Sequence, residues 1–324
     1  MTISTAISAG GTKQGVILAG AVRDVYSQEI LLNAQPVLLF AQFVDRRTEL
    51  GREPGDTIKF TKYADLTGDS ALSEVENIGV TNLESSMVHI GVDEHGKGVG
   101  FSERLARTAW DNIAGLATRQ LGVHYGKSVD KLCRNAFRAA GSLQTFFPAA
   151  GIANRSALTS AHTLSVLAIK DAVERLATNK APKIGGNYVC IVHPHQARGL
   201  RDDDEWVEAH KYASPGEIFR GEIGMMEGVR FVETTNISVV KAATGVVMAD
   251  GVSQDETQAV FNASLDVYQA ILMGANGVGW AEGLPVEFRD NGVIDFGRQR
   301  ELAWYSIMGA GEIRPENVTA IETV

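Results

Sequence analysis

From Phe101 to Phe137 apolar side chains return every three or four positions, at Ala106, Trp110, Ile113, Leu116 or Ala117, Leu121, Tyr125, Val129, Leu132 or Cys133, Ala136 and Phe137. One stripe held over roughly forty residues predicts a single helix on the order of 50 Å long. Ser102 is placed to cap it, and Glu103 favours its positive end. Gly122 and Gly126 are the positions where it can bend, each costing roughly 1 kcal/mol relative to Ala.

A different period precedes this helix. Ile58 and Phe60 alternate with polar residues across Asp56 to Tyr63, and Val88, Ile90 and Val92 share one face of a second strand. The interval from Ala64 to Ser86 is rich in Asp, Glu, Gly, Ser, Thr and Asn. It is too polar for a core and far longer than the usual hairpin loop of about 2 to 5 residues. Two strands with such a tip predict a projecting hairpin, marginal alone and stabilised by lying on another molecule. An ordinary surface loop is the other reading.

The rest of the pattern is mixed. Residues 1 to about 20 are small, polar and Gly-rich, an arm that cannot offset its own chain entropy. Apolar spacing from Val22 to Val44 predicts two short helices around Pro36. A helix is expected over 161–177, starting near Thr159 or Ser160, then a strand at Tyr188 to Val192 and a helix entered at Pro194. Strands are expected at 229–233, 237–241 and 245–248, and a helix at 265–274. Leu284 to Phe288 and Gly292 to Phe296 read as a hairpin about Asp290-Asn-Gly292. The class is α+β, with no repeat of fixed period.

Length and composition narrow the function. A chain of 324 residues, 44% hydrophobic and 21% charged, is an ordinary folding sequence that fills two connected lobes. Its net charge of −9 argues against a main task of gripping nucleic-acid phosphates, which takes concentrated Lys and Arg. Cys133 and Cys190 lie in apolar patterns and are expected to be buried thiols. No stretch reaches the roughly 18 to 20 apolar residues that cross a bilayer, and the first residues lack a secretion signal's pattern. Synthesis and assembly in the cytoplasm are the expectation.

Candidate chemistry is sparse. His193-Pro-His195 with Asp202 to Glu205 offers possible metal ligands, but no third histidine or positioned base accompanies it. The competing reading puts His195 on the first turn of a helix, with the acidic run ending that helix in solvent or meeting a positive patch on a neighbour. Gly96-Lys-Gly-Val-Gly100 lacks the spacing of a phosphate loop and reads instead as a flexible joint into the long helix. His89 is expected to be exposed, and His124 to be a packed or surface residue. No catalytic residue and no cofactor is implied.

Three segments carry a family resemblance. They are Ala41-Gln-Phe-Val-Asp-Arg-Arg-Thr-Glu-Leu50 with the following Gly55-Asp-Thr-Ile-Lys-Phe60, Tyr125-Gly-Lys-Ser-Val-Asp-Lys-Leu132, and the block from Tyr188 to Asn236. Together they resemble tailed-phage major capsid proteins, specifically the N4 gp56-like family of the HK97-like fold. The resemblance implies an N-terminal arm with short helices (1–50), an extended loop (51–92), a peripheral lobe with the spine helix (93–180), a mainly axial lobe (181–280) and a return to the peripheral lobe (281–324).

The function so implied is structural. Copies of the chain form pentamers and hexamers of an icosahedral head around double-stranded DNA, in a virion assembled in the host cytoplasm. Scaffold, portal and decoration proteins are the further partners. Candidate assembly residues fall into three groups. Arg46 and Arg47 at the loop root face Glu49 and Glu53, as charge pairs or as a solvated charged face; Asp65, Asp69, Glu74 and Glu76 lie on the loop. Asp202, Asp203, Asp204, Trp206, Phe219 and Arg220 belong to the region assigned near each ring's centre, Trp206 either as an interface residue or as local core. An encapsulin-like compartment and a metal-dependent hydrolase using His193 and His195 are the alternatives.

Overall fold

The structure, a computed structural model, describes residues 30, 38–47, 57–63, 80, 82–142, 145–146, 152, 155–206, 224–242, 247–249, 252–253 and 265–324. The elements, in order, begin with β1 (Asp45–Arg47), β2 (Thr57–Tyr63), β3 (Ser85–Gly91), β4 (Asp93–Ser102), α1 (Glu103–Thr108) and α2 (Ile113–Ser142). They continue with β5 (Thr145–Phe146), α3 (Val166–Thr178), β6 (Tyr188–Val192), α4 (Pro194–Arg201), β7 (Met225–Met226) and β8 (Val229–Glu233). The last are β9 (Val239–Val240), β10 (Val247–Ala249), β11 (Val252–Ser253), β12 (Val267–Met273), β13 (Val278–Ile294), β14 (Gln299–Glu312) and β15 (Val318–Thr323).

Two sheets meet on one helix. The first has the order β1-β13-β14-β4, with β1 parallel to β13 and the other pairs antiparallel. The second runs β11-β10-β9-β12-β6-β8-β7, with β15 on β12 and β5 on β15. Leu121, Tyr125, Val129, Cys133 and Phe137 of α2 share one core with Trp280, Phe288, Leu302 and Trp304 of the first sheet and with Val189, Ile191 and Ile271 of the second. Each such large side chain contributes roughly 1.5–3 kcal/mol when fully buried. The 3.6-residue stripe of α2 is therefore what joins the sheets.

The second sheet is covered on both faces. Val189 and Ile191 turn to α2, while Cys190 and Val192 turn to Val166, Ile169, Ala172 and Leu176 of α3 and to Ala197 and Leu200 of α4. Strand β12 divides in the same way, Ile271 and Met273 to one side and Ala270 and Leu272 to the other. This corrects the helix expected at 265–274. A strand buried on both faces loses its polar alternation and reads as a continuous apolar run.

Four further expectations change. The long helix is two: Ala109 is extended, Asn112 Oδ1 accepts the Gly115 N–H at 3.3 Å, and Trp110 between them is fully exposed. The helix expected from Thr159 begins at Val166, capped by Ser165 Oγ, because His162 Nδ1 takes the Thr159 N–H and closes a turn ahead of it. Asp290-Asn-Gly292 is an irregularity within β13, where the register shifts between Asp290 and Val293, and the chain reverses at Asp295–Gly297. Gly96 to Gly100 is no joint; it lies inside β4, paired with β14 along its length. Of the helices expected over 22–44, Ile30 is helical and Phe40–Gln42 forms a 3-10 turn; the remainder lies outside the described residues.

Candidate assembly site

Strands β2 and β3 form the predicted hairpin, in register from Thr57 opposite Gly91 to Tyr63 opposite Ser85. Its root is packed on its own chain: Ile58, Phe60 and Ile90 form a small core with Ala281 and Ile313. Two glycines permit this approach. A Cβ on Gly279 would lie 2.7 Å from Ile313 Cδ1 and 2.9 Å from both Ile90 Cδ1 and Phe60 Cζ, and one on Gly309 would lie 2.0 Å from the Gly91 carbonyl oxygen. Lys62 pairs with Glu316; burial alone would raise that carboxyl, but the ammonium holds it below its ordinary value. Beyond the root the apolar groups are uncovered, with Tyr63, Val80, Leu83 and Met87 all exposed.

Arg46 and Arg47 lie on β1, beside this root. The Arg47 guanidinium stands 4.9 Å above the Phe60 ring, and its Nη1 donates to the Lys59 carbonyl at 3.5 Å. Arg47 is thus tied to the hairpin through a ring and a carbonyl. Glu49 and Glu53, its expected partners, lie outside the described residues, as do Asp65, Asp69, Glu74, Glu76, Phe219 and Arg220.

The acidic run is not with them. It sits at the far sheet, where Asp202 ends α4 and Asp203 Oδ2 accepts the Val166 N–H at 3.0 Å, at the start of α3. Glu205 pairs with Lys170 of the same helix, and Asp204 is exposed. Trp206 packs edge-on against Phe231 at 5.2 Å and is buried in the core around α3 and α4. Of its two readings, the burial fits the local-core one. Two of the four thus find partners within the chain, Asp203 at a helix start whose unpaired amides favour carboxylates and Glu205 at Lys170, while Asp202 and Asp204 face outward.

The histidine pair is likewise spent on structure. His193 caps α4, its Nδ1 accepting the His195 N–H at 3.1 Å, and both rings lie 4.7 Å from the Tyr268 ring. Burial, then the neighbouring His195 and Lys241, lowers the pKa of His193. Among the described residues no group of three or more His, Cys, Asp or Glu is placed to hold a metal ion. Both cysteines are free and buried, and burial pushes the Cys190 thiol up to about 12.

One anchor was missed in reading the sequence. Asp130, buried on α2, accepts the N–H groups of Leu39 at 2.8 Å, Phe40 at 2.7 Å and Ala41 at 3.4 Å on one oxygen. Its second oxygen accepts from Asn236 Nδ2 at 2.6 Å, while Asn236 Oδ1 takes the Arg134 Nη1 hydrogen at 2.7 Å. Burial raises the Asp130 pKa, and these donors only partly oppose it. The spine helix so clamps the segment leading to the hairpin and the loop after β8. Only an unexplained Asp on the buried stripe of α2 signals it in sequence.

A spine helix bridging two sheets, with a two-stranded hairpin packed at its root and exposing Tyr63 and Met87, defines a shell subunit of the HK97-like capsid fold. A family model described as phage capsid protein matches residues 40–322, and the chain belongs to that family. Its role is to form the capsid shell. The fold is similar to the capsid of Ralstonia phage GP4, at 17% identity and a TM-score of 0.67, covering 87% of each chain. The capsid of cyanophage P-SCSP1u is similar at 16% identity and a TM-score of 0.64, covering 89% of this chain and 88% of that one. A virus-like particle from Pyrococcus furiosus shares the fold at 12% identity and a TM-score of 0.52, covering 93% and 99%. No curated protein matches the chain in sequence.

Proposed function

We propose that this chain is the major shell protein of a tailed phage of the N4 gp56-like kind, tiling an icosahedral head as pentamers and hexamers around double-stranded DNA. In this reading the loop over 51–92 lies on the adjacent subunit. Residues 93–180 and 281–324 make the peripheral lobe, and 181–280 the axial one. Scaffold, portal and decoration proteins are its partners in a virion assembled in the host cytoplasm. The net charge of −9 fits a wall that encloses DNA without gripping its phosphates.

The observation that carries the reading is the hairpin itself. Its root is buried while, among the described residues between the two strands, Leu83 is 65% and Val80 93% exposed, apolar side chains available to another molecule. Many weak contacts of this kind close a shell firmly while each remains correctable. Deleting Ala64 to Ser86 tests it: the subunit is expected to fold and to form no particles by electron microscopy. Normal particles from the deletion overturn the reading, and wild-type particles filled with protein cargo in place of DNA overturn its genome-enclosing part.

A further inference from the structure

Strand β4 carries glycine at 96, 98 and 100, and all three are exposed. It is an edge strand of the first sheet. Its register sets Val99 opposite Leu302 and Phe101 opposite Arg300, and Val99 and Phe101 pack into the core under α2. Alternation turns the glycines to the other face, beside Tyr305, Ala303 and Glu301. That face is bare over three successive outward positions.

The subunit itself explains only one of the three. A Cβ on Gly96 would meet the Trp304 carbonyl oxygen at 2.9 Å, closer than packing allows. On Gly98 it would lie 3.7 Å from Ala303 Cβ and 3.7 Å from the Leu302 carbonyl oxygen, and on Gly100 3.6 Å from Glu301 Cγ. Those are ordinary van der Waals contacts. Nor is φ the reason, since none of the three has a positive value. Glycine within a strand costs roughly 0.5–1 kcal/mol relative to Ala and in such a place marks the close approach of another backbone.

Gly98 and Gly100 open into a shallow groove of about 840 Å³ walled by Glu287, Arg289, Glu301 and Ala303. Arg289 is held flat along one wall, its guanidinium 3.7 Å above the Tyr305 ring. Among the described residues nothing fills the groove. We infer that it seats an extended backbone segment of a second copy of this chain, with Gly98 and Gly100 kept bare for that segment.

A second copy is the occupant because the chain belongs to a shell-forming family and shows two unlike surfaces. One is this bare groove; the other is the set of exposed apolar side chains Tyr63, Leu83 and Met87 on and beside the hairpin that runs directly into the same strand. Unlike surfaces on one molecule pair head to tail, which generates rings where the rotation closes. The inference rests on the shell reading above.

The test is the double variant G98A/G100A beside the wild type, scored for unfolding temperature and for particle yield by electron microscopy. The variant is expected to unfold at the same or a higher temperature and to give at least tenfold fewer particles. Equal yields overturn the inference; a wild type that forms no particles overturns the shell reading instead. Hydrogen exchange of residues 96–100 in the wild type supplies a check that needs no variant. Exchange is expected to slow on assembly. Equal rates before and after overturn the inference, as does protection already complete in unassembled subunits, which would place the chain's own segment in the groove.

Discussion

Asn236 donates its side-chain N–H to Asp130 across 2.6 Å, closing a separation of 106 residues. That bond, with the three amides on the other carboxylate oxygen, makes one acid on α2 the meeting point of the loop after β8 and the segment before β1.

Replacing Asp130 is therefore expected to be costly. Asp130→Ala leaves buried amides at Phe40 and Ala41 and the Asn236 side chain without an acceptor. Each orphaned donor costs about 1–3 kcal/mol, so the loss expected is about 3 kcal/mol or more by denaturant unfolding. Asp130→Asn keeps one acceptor but sets an amide against the Asn236 donor, and is expected to cost less than the alanine variant. Equal stability of both variants with the wild type rules out the anchor.

His124 makes stability depend on pH. The Trp304 indole N–H donates to its Nδ1 at 3.2 Å, and burial, then Lys97 and Lys127, lowers its pKa from the ordinary 6.5. Between 6.5 and the lower folded value the unfolded chain binds the extra proton. Stability is thus fully present above 6.5 and is lost as the pH falls through that window, to a plateau below the folded value. His193, lowered in the same direction, adds to the slope. The unfolding temperature is expected to fall on acidification from neutral pH, and His124→Asn, which keeps an acceptor for Trp304, to flatten the fall.

Gly309 and Gly91 stand on the two sides of the hairpin root with unequal freedom. A methyl group at 309 collides with the Gly91 backbone, while one at 91 meets nothing within 4 Å. Gly309→Ala is expected to cost about 1–3 kcal/mol, the usual range for overpacking, and to speed proteolysis of the hairpin. Gly91→Ala is expected to do neither.

Phe296 combines full exposure with a left-handed backbone, at φ 54° and ψ 29°. Neither favours phenylalanine, since Asn adopts that conformation more readily and no burial is lost. Phe296→Asn is expected to hold or slightly raise the unfolding temperature. A drop of several degrees contradicts this account of the turn.

What the sequence by itself determined is what local periodicity controls. The buried stripe of α2, the alternation of β2 and β3, the apolar run of β6 and the proline entry to α4 each follow from spacing along one segment. Tertiary structure decided whatever depended on the second face of an element. Residues 265–274 became a strand because helices cover the sheet on one side and on the other, so alternation had no solvent to report. Trp206 and Asp203 went to a local core and a helix start because α3, distant in sequence, is there to receive them. Asp130 has partners 90 and 106 residues away, a relationship no window along the chain contains. The glycines of β4 were visible from the start, but a flexible joint and a bare face have the same spelling; only pairing with β14 separates them.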